Sequence, residues 1–410
     1  MYGEKLEKMR DRLKAAAANA WTKLREAGLR EKRKDELRTL RIRQDEVRRL
    51  RERLKRIEPE AMLAAPEEEI LVRSIRERTR DLNRNNVTRT DAYRDFYVRF
   101  PEVHWAFLAH MVSRNGGWNM TDLQGDLLPL LLSAQTREYM FEMLESANSL
   151  IFGDAYPQLL LYEQSLRAGK PLFAVLPAFG VSVFMRQVWE RFWETRDAIF
   201  LTIALIINEQ HYIEGRVARH PYFAGHVLNS IPFRTQSMLR LNQVFLPYDA
   251  RDASGLQRIA GLAIADFGDI GERIAVGKRL YAMLFGIREV AEGAKRFAAR
   301  IRHSGSRADY WPELFTDKRE ATGREVVRRL DGGRLKPGAP RFYSPALAVA
   351  WHDKPLREPE RYDWWFCGDA EKACKALTDA EATGPFDMNE EYTLGLNELE
   401  LAVLARNKLP

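Results

Sequence analysis

Two histidines, His104 and His110, lie within an apolar stretch that runs from Val103 to Val112. Six residues along an α-helix separate two side chains by about 120° around the axis. A two-histidine metal pair needs the i,i+4 spacing that puts both rings on one face, so this spacing argues against one. Two alternatives stay open. Either both are neutral core histidines with a buried hydrogen-bond partner, or one lines a pocket as an acid, a base or a ligand-binding group.

Two polar segments carry the hydrogen-bond donors that such a pocket needs. Ser113–Asn119 follows the histidines directly, and His303–Pro312 lies far along the chain. Small hydroxyl residues beside Arg and His can bind an anion, and they can equally cap a helix and close a loop. Because polar residues cluster here beside buried aromatics, the predicted ligand-binding residues are His104, His110, Arg114, Asn115, Trp118, Asn119, His303, Ser306 and Arg307.

The sequence contains no recognisable catalytic or metal-binding set. His211 and Glu214 are three residues apart, but di-iron bundles repeat a Glu-x-x-His unit, and Glu209 has the wrong spacing. No serine-, cysteine- or carboxylate-based set is identifiable. The sequence therefore predicts no catalytic residue, no metal and no cofactor, and it leaves open whether the protein is an enzyme.

Three strings of residues carry a resemblance to a known family. They are NVTRTDAYRDFY from Asn86, HWAFLAHMVSRNGGWNMTDL from His104 and HSGSRADYWPELF from His303. With the residues between them, they resemble the YppC-like family of Firmicutes proteins over about Asn85 to Phe315. That family is a domain of unknown function with no assigned catalytic residues, so the resemblance implies no site.

The histidines must be positioned by a central helix that starts just after Pro101, since proline suits the first helical turn. Apolar residues fall on all its sides, which is typical of a helix buried in a core. The sequence Asn115-Gly116-Gly117 predicts the end of this helix. Thr121 with Gln124 predicts a capping box that opens the next one.

The rest of the chain to about residue 303 has helical periodicity. Predicted helices include Phe233–Phe245, Ser254–Phe267 and Ile270–Phe285, the last two forming a hairpin joined at Gly268-Asp269. No run of alternating apolar and polar residues is long enough to predict a strand. The predicted fold class is therefore all-α, a multi-helix body around the buried apolar helix.

Composition shifts divide the chain into a basic helical arm (1–60), an all-α body (61–303) and a loop-rich segment with an acidic C-terminal helix (304–410). The last helix starts at Asn389 and is predicted to dock through Leu394, Leu401 and Leu404.

Charge is unevenly distributed along the chain. Residues 1–58 hold 20 Lys and Arg against 11 Asp and Glu, whereas Thr378–Leu401 holds seven acidic residues and no basic one. The arm is therefore predicted to engage an acidic partner, either a nucleic acid or an anionic surface, or to dock on the acidic tail of its own chain.

Composition is typical of a globular protein, with 45% apolar and 30% charged residues. Two cysteines, Cys367 and Cys374, match no zinc motif, and no signal peptide or membrane span is recognisable. The predicted location is the cytoplasm. Two functions remain: a non-enzymatic interaction protein that uses its basic arm, or an enzyme or small-molecule binder with a polar pocket beside the His104 and His110 helix. The oligomeric state is left open.

Overall fold

The computed structural model describes residues 39–57, 66–228, 241–252, 255–320, 327–355, 362–367, 370–384 and 386–407. The α-helices of seven or more residues are α1 (Gln44–Leu54), α2 (Pro66–Leu82), α3 (Asn86–Arg99), α4 (His104–Asp122), α5 (Ala134–Ala168), α6 (Val183–Thr195), α7 (Ala198–Ile213), α8 (Ile270–Gly286), α9 (Arg288–Arg300), α10 (Ala370–Ala376) and α11 (Asn389–Asn407). Shorter helical segments are Leu128–Leu131, Phe173–Phe179, Glu214–Ala218, Pro221–Phe223, Ala224–Leu228, Arg307–Asp309, Leu347–Ala350 and Trp364–Cys367.

The strands are few and short. β1 (Gln243–Arg251) pairs with β2 (Gln257–Ala263) in an antiparallel hairpin. The two-residue strands are β3 (Phe315–Thr316), β4 (Leu330–Asp331), β5 (Arg334–Leu335) and β6 (Phe342–Tyr343), in which β3 pairs with β6 and β4 with β5. The predicted all-α fold class is therefore confirmed for the body as a whole.

The central helix of the prediction is α4, and it is longer than predicted. It continues through Gly116 and Gly117 to Asp122. The predicted stop is wrong because Gly117 serves packing: a Cβ there would lie 2.5 Å from Nε2 of His303 and against the Asn86 side chain. The predicted capping box is also wrong, since the Thr121 hydroxyl bonds to the carbonyls of Trp118 and Gly305.

The β1–β2 hairpin replaces two of the predicted helices. The predicted helix Ser254–Phe267 contains β2, and the predicted helix Phe233–Phe245 ends in the first residues of β1, its start lying outside the described residues. Most of β1 is buried at consecutive positions. A short continuous apolar run gives no periodicity that distinguishes strand from helix, which is why the sequence was misleading here.

Both outer edges of this hairpin are occupied. On the β1 side, the Asn115 amide donates to the Gln243 carbonyl at 3.0 Å and accepts from the Phe245 amide at 3.1 Å. On the β2 side, the backbone of Gly261 donates to the Phe386 carbonyl, and Met388 donates to Ile259. The hairpin is thus fastened to α4 on one side and to the segment before α11 on the other.

The described part of the N-terminal region packs on the body. Glu46 of α1 forms a buried bidentate ion pair with Arg191 of α6. Just before α1, Leu40 pairs with Ala380 by backbone hydrogen bonds, and the Ile42 amide donates to Asp379 in the acidic tail. Residues 1–38, which hold much of the predicted arm, lie outside the described residues.

The last helix presents a different face to the body than predicted. Leu394 and Leu401 are 60% and 47% exposed, whereas Tyr392, Leu396, Leu399 and Val403 are buried. This helix carries two leucine-containing stripes. The prediction chose the stripe with Leu394 and Leu401, but the stripe that also contains Tyr392 faces the body. Within the described ranges, no helix combines the length and the apolar character that crossing a membrane requires.

Candidate ligand-binding site

The central helix α4 has two faces with different surroundings. The polar face, defined by His110, Arg114, Gly117 and Thr121, packs against α3, the end of α9 and residues 301–310. The cavity face, defined by Trp105, Leu108, Val112 and Gly116, lines an internal cavity. Each set repeats at three or four residues, as one stripe of an α-helix must.

On the polar face, His110 and Arg114 are both buried. Nδ1 of His110 lies 2.8 Å from the Thr90 carbonyl, and burial, with the nearby Arg114 charge, lowers the pKa of His110 well below its usual value. Burial also lowers the pKa of Arg114, to about 10. Its guanidinium donates to the Ile301 carbonyl and lies 4.9 Å from the Phe297 ring centre. At neutral pH the pair is therefore a neutral imidazole beside a charged guanidinium.

His303 is fixed to the same face. Its Nε2 lies 2.9 Å from Oδ1 of Asn86, and its Nδ1 lies 3.3 Å from Oδ2 of Asp309. Asp309 also accepts from the Ser304 hydroxyl at 2.6 Å and from the Trp118 indole at 3.3 Å. Burial alone would raise the pKa of Asp309, but His303 and Ser304 hold it below its usual value.

Arg307 fastens the loop to the end of α4. It is buried and donates to Asp122 at 2.8 Å, to Asn119 Oδ1 at 3.1 Å and to the Tyr310 hydroxyl at 2.6 Å. Ser306 donates to the Ser344 carbonyl. The two predicted polar segments thus come together, and their donors and acceptors largely satisfy one another.

His104 lies apart from this group. Its Nδ1 is 2.9 Å from the Tyr281 hydroxyl, and its ring stacks on Phe285 at 4.2 Å. Burial lowers the pKa of His104 to about 4. Of the nine predicted ligand-binding residues, Asn115 and Asn119 line the cavity described next. A ligand-binding role for the others remains a prediction.

The cavity beside α4 has a volume of about 240 Å³. Aliphatic, methionine and aromatic side chains from α3, α4, α5, α7, α8 and the hairpin form most of its wall. An apolar cavity of about 150 Å³ is large enough to hold benzene. The apolar residues that line it include Tyr93, Trp105, Leu108, Val112, Met140, Met143, Leu144, Ile151, Ile213, Ile264, Phe267, Val276 and Leu280.

One end of the cavity carries a carboxyl group, that of Glu209. It accepts from the Trp105 indole at 3.3 Å and from the Gln210 amide at 3.2 Å. Burial raises the pKa of Glu209 to about 7, and the nearby Asp154 contributes in the same direction. The Tyr93 hydroxyl and Oε1 of Gln243 are buried in the wall without a hydrogen-bond partner among the described residues.

A second, larger pocket of about 480 Å³ lies near His303 and has a mixed charge. Much of its charged lining is already paired within the protein: Asp353 accepts from Asn85 at 2.8 Å, Lys354 lies 3.2 Å from Glu138, and Glu145 pairs with a buried arginine. Arg84 also lines this pocket and forms no ion pair within the described ranges. The apolar cavity is therefore the stronger candidate for ligand binding.

Of the cavity residues, the sequence alone identified only Asn115 and Asn119 as ligand-binding candidates. Glu209 was considered only as a metal ligand, and no group of three metal-ligating side chains occurs in the described ranges. Its signal was a single acid near the end of α7, a helix otherwise built of apolar residues. Tyr93 and Gln243 carried no signal, because their exposure to the cavity depends on how distant helices meet.

Comparison with known proteins places the whole site within one family. The profile of the family described as a protein of unknown function, DUF2515, matches residues 81–396. The chain belongs to this family. It is also 40% identical over 267 residues to the uncharacterized protein YppC of Bacillus subtilis (strain 168), covering 64% of this chain and 81% of that protein. The resemblance seen in the sequence is thus confirmed.

The family match extends beyond the segment that carried the resemblance, since it includes the residues that contact β2 and the first part of α11, to residue 396. The central helix, Glu209 and all other cavity residues fall inside it. No solved structure shows a significant match to the chain. The function is therefore inferred from the geometry of the cavity.

Proposed function

We propose that this DUF2515 protein binds a small, largely apolar molecule in the cavity beside α4. The observation that carries the proposal is an apolar cavity of about 240 Å³ whose lining includes a few polar side chains, among them Asn115, Asn119 and Glu209. Small-molecule sites combine mainly apolar walls with a few fixed polar groups. This combination favours the second of the two functions that the sequence left open.

Energetics support the same reading. A packed protein interior has few voids larger than a water molecule, and an unfilled volume of this size lowers stability. A ligand that fills the volume offsets this cost.

The test uses two alanines three residues apart on α4. Ala109 lines the cavity, whereas Ala106 is fully buried and does not line it. Leucine at Ala109 fills empty space, while leucine at Ala106 overpacks the core and costs about 1–3 kcal/mol. We therefore expect Ala106→Leu to lower the melting temperature clearly and Ala109→Leu to leave it nearly unchanged.

Ligand binding is measured with benzyl alcohol and indole as probes. A molecule that binds only the folded state raises the melting temperature. We expect both probes to do so for the natural protein and to lose the effect in Ala109→Leu. Equal shifts for the two proteins, or equal destabilisation by the two leucine variants, would remove the proposal.

One observation supports a second candidate function, which uses the basic arm. All eight Lys and Arg residues between 39 and 57 are exposed, although α1 packs on the body through its other side. We infer that this surface engages an acidic partner, a nucleic acid or an anionic membrane surface, by binding its phosphate groups.

Binding of duplex DNA and of anionic vesicles at two salt concentrations tests this inference. Arg48 and Arg56 are exposed residues of the arm. Replacing both with glutamine should weaken binding and reduce its salt dependence, by a slope of about one for each phosphate that the variant no longer binds. Absent or salt-independent binding by the natural protein would exclude this function.

A further inference from the structure

We propose that the ligand of the cavity carries a protonated amine, which forms an ion pair with Glu209 while its apolar part fills the remaining volume. This inference rests on the proposed ligand-binding function and names the chemical class of the ligand. An organic ammonium ion is expected to bind in preference to a neutral molecule of the same shape.

Glu209 lacks a cationic partner among the described residues. Its contacts are the Trp105 and Gln210 hydrogen bonds, at 3.3 and 3.2 Å, and it pairs with no Lys, Arg or His in the part of the chain that the structure describes. Other buried glutamates there are each paired with arginine, as the ion pairs of Glu46, Glu145, Glu163 and Glu400 show. Glu209 is therefore the acid that a ligand cation would complete.

Aromatic rings line the same cavity as this acid. Tyr93 and Trp105 both line the cavity, and their rings are perpendicular, with centres 5.4 Å apart and an interplanar angle of 89°. Phe267 lines the cavity as well. Aromatic faces attract ammonium groups, and tryptophan does so most strongly. A carboxylate beside such rings is suited to a cation that also has apolar surface.

The arginines near the cavity are already bound within the protein. Arg273 of α8 lines it, but Gln210, the Phe267 carbonyl and Glu214 already bind its guanidinium. Arg89 of α3 is engaged by Glu145.

Asp154 of α5 lies close enough to raise the pKa of Glu209 further. It is bonded to amide groups of Asn208 and Gln158 and forms no ion pair within the described ranges. The groups near the cavity that lack a counterion are therefore carboxyl groups, those of Glu209 and Asp154.

Protonation of Glu209 gives the inference a pH signature. Burial raises the pKa of this carboxyl to about 7, so an ammonium ion must compete with a proton for it. The affinity for an amine is therefore expected to rise with pH through this value, and the affinity for a neutral molecule is not. Asp154 and Tyr93 are the titratable groups whose charges interact with that of Glu209, Arg216 acts on Asp154, and only Asp154 titrates in the same range.

The experiment compares benzylamine with benzyl alcohol, which have nearly the same shape, by calorimetry at about pH 6 and about pH 8. We expect benzylamine to bind about tenfold more tightly than the alcohol at the higher pH, which corresponds to about 1.4 kcal/mol. Glu209→Gln should remove this preference and leave alcohol binding unchanged. Ile151→Val is the control, because it alters the apolar cavity wall without touching the carboxyl.

Each outcome decides between the two proposals. If the alcohol binds as tightly as the amine at both pH values, the ligand class is wrong while the binding function stands. If neither probe binds, the proposed ligand-binding function itself is wrong. Should Glu209→Gln fail to fold, the natural protein alone still decides: an amine affinity that does not rise between about pH 6 and about pH 8 overturns the inference.

Discussion

The two faces of α4 differ in how buried charge is treated. On the polar face, Arg307 lies between Asp122 and Asn119, and Asp309 accepts hydrogen bonds from several donors. On the cavity face, Glu209 meets no cation, the Tyr93 hydroxyl meets no acceptor in the described ranges, and about 240 Å³ is left open. The polar face also leaves Nε2 of His110 and two guanidinium nitrogens of Arg114 without a partner there, so the two faces differ chiefly in open volume and in the unpaired Glu209.

This difference separates structural from functional polar residues. A polar group whose bonds are complete stabilises the fold and has nothing left to offer a ligand. A buried group without a partner lowers stability, and such costs are often found at functional sites. Of the polar residues that stood out in the sequence, Ser306 and Arg307 belong to the first kind, whereas His110 and Arg114 each keep a buried nitrogen without a partner in the described ranges. Glu209, proposed for function, accepts hydrogen bonds but has no counterion there.

The largest effect is expected from Arg307→Ala on the polar face. Removing one partner of a buried ion pair leaves the other unpaired and costs about 3–5 kcal/mol. Urea unfolding should show this loss. Arg302→Ala is the control, since its side chain is 81% exposed and it should change stability by no more than about 0.5 kcal/mol. Similar effects of both changes would mean that the polar face does not hold the fold together.

The acids of the two faces should respond to pH in opposite directions. Burial raises the pKa of Asp154, which lies near Glu209, from its usual 3.8 to about 7. The folded protein therefore binds the proton more tightly, and stability is lost as pH rises from about 4 to about 7. Asp154→Asn mimics the protonated acid, so its stability relative to the natural protein should increase by a few kcal/mol over this window, at about 1.4 kcal/mol per pKa unit.

Asp309 provides the matched control for this pH dependence. Its pKa is held below the usual value, so its contribution is present at neutral pH and lost as the pH falls below about 4. Asp309→Asn should therefore be destabilised at neutral pH, with a smaller loss in acid. Unfolding curves between about pH 3 and about pH 8 measure both variants, and slopes of the same sign would contradict the comparison.

Two neighbouring glycines of α4 test the packing of the two faces. A Cβ at Gly117 would collide with Asn86 and His303, whereas a Cβ at Gly116 would meet only the Asn148 amide group at 3.2 Å. Gly117→Ala should cost about 1–3 kcal/mol by overpacking. Gly116→Ala should stay within about 1 kcal/mol of the natural protein, because alanine favours the helix. Thermal unfolding distinguishes the two, and equal losses would mean that the cavity face is packed as tightly as the other.

The smallest effect is expected from two tyrosine hydroxyls. Tyr93→Phe removes a buried hydroxyl that has no partner within the described ranges, so stability should stay level or rise by about 1 kcal/mol. Tyr310→Phe removes the acceptor of an Arg307 hydrogen bond at 2.6 Å and should cost about 1 kcal/mol. A loss of stability in Tyr93→Phe would show that this hydroxyl has a partner after all.

Local pattern predicted the helical elements better than the contacts between them. The apolar character of Val103–Val112 correctly predicted a buried helix, on which His104 and His110 lie in different surroundings. The end of that helix was wrong because Gly117 allows close approach of His303, a residue far away in sequence. The hairpin was missed because a short buried strand carries no alternation.

The cavity was beyond sequence reasoning for a related reason. Its wall joins residues of six elements, and a void is the absence of side-chain volume where they meet. Periodicity reports which side of a helix is apolar, and not whether the opposite surface fills the space. The polar residues near His303 were correctly seen to cluster, but only the contacts tell that Arg307 and Asp309 are already bonded.

The covered edges of the β1–β2 hairpin have a consequence for solubility during folding. An exposed strand edge offers unpaired amides and carbonyls to other chains and promotes aggregation. Here the side chain of Asn115 bonds to the outer edge of β1, and residues 386–389 bond to that of β2. A single amide side chain on the central helix thus protects the hairpin from adding a strand of another molecule. Replacing Asn115 would leave the buried Gln243 carbonyl and Phe245 amide of this edge without these partners.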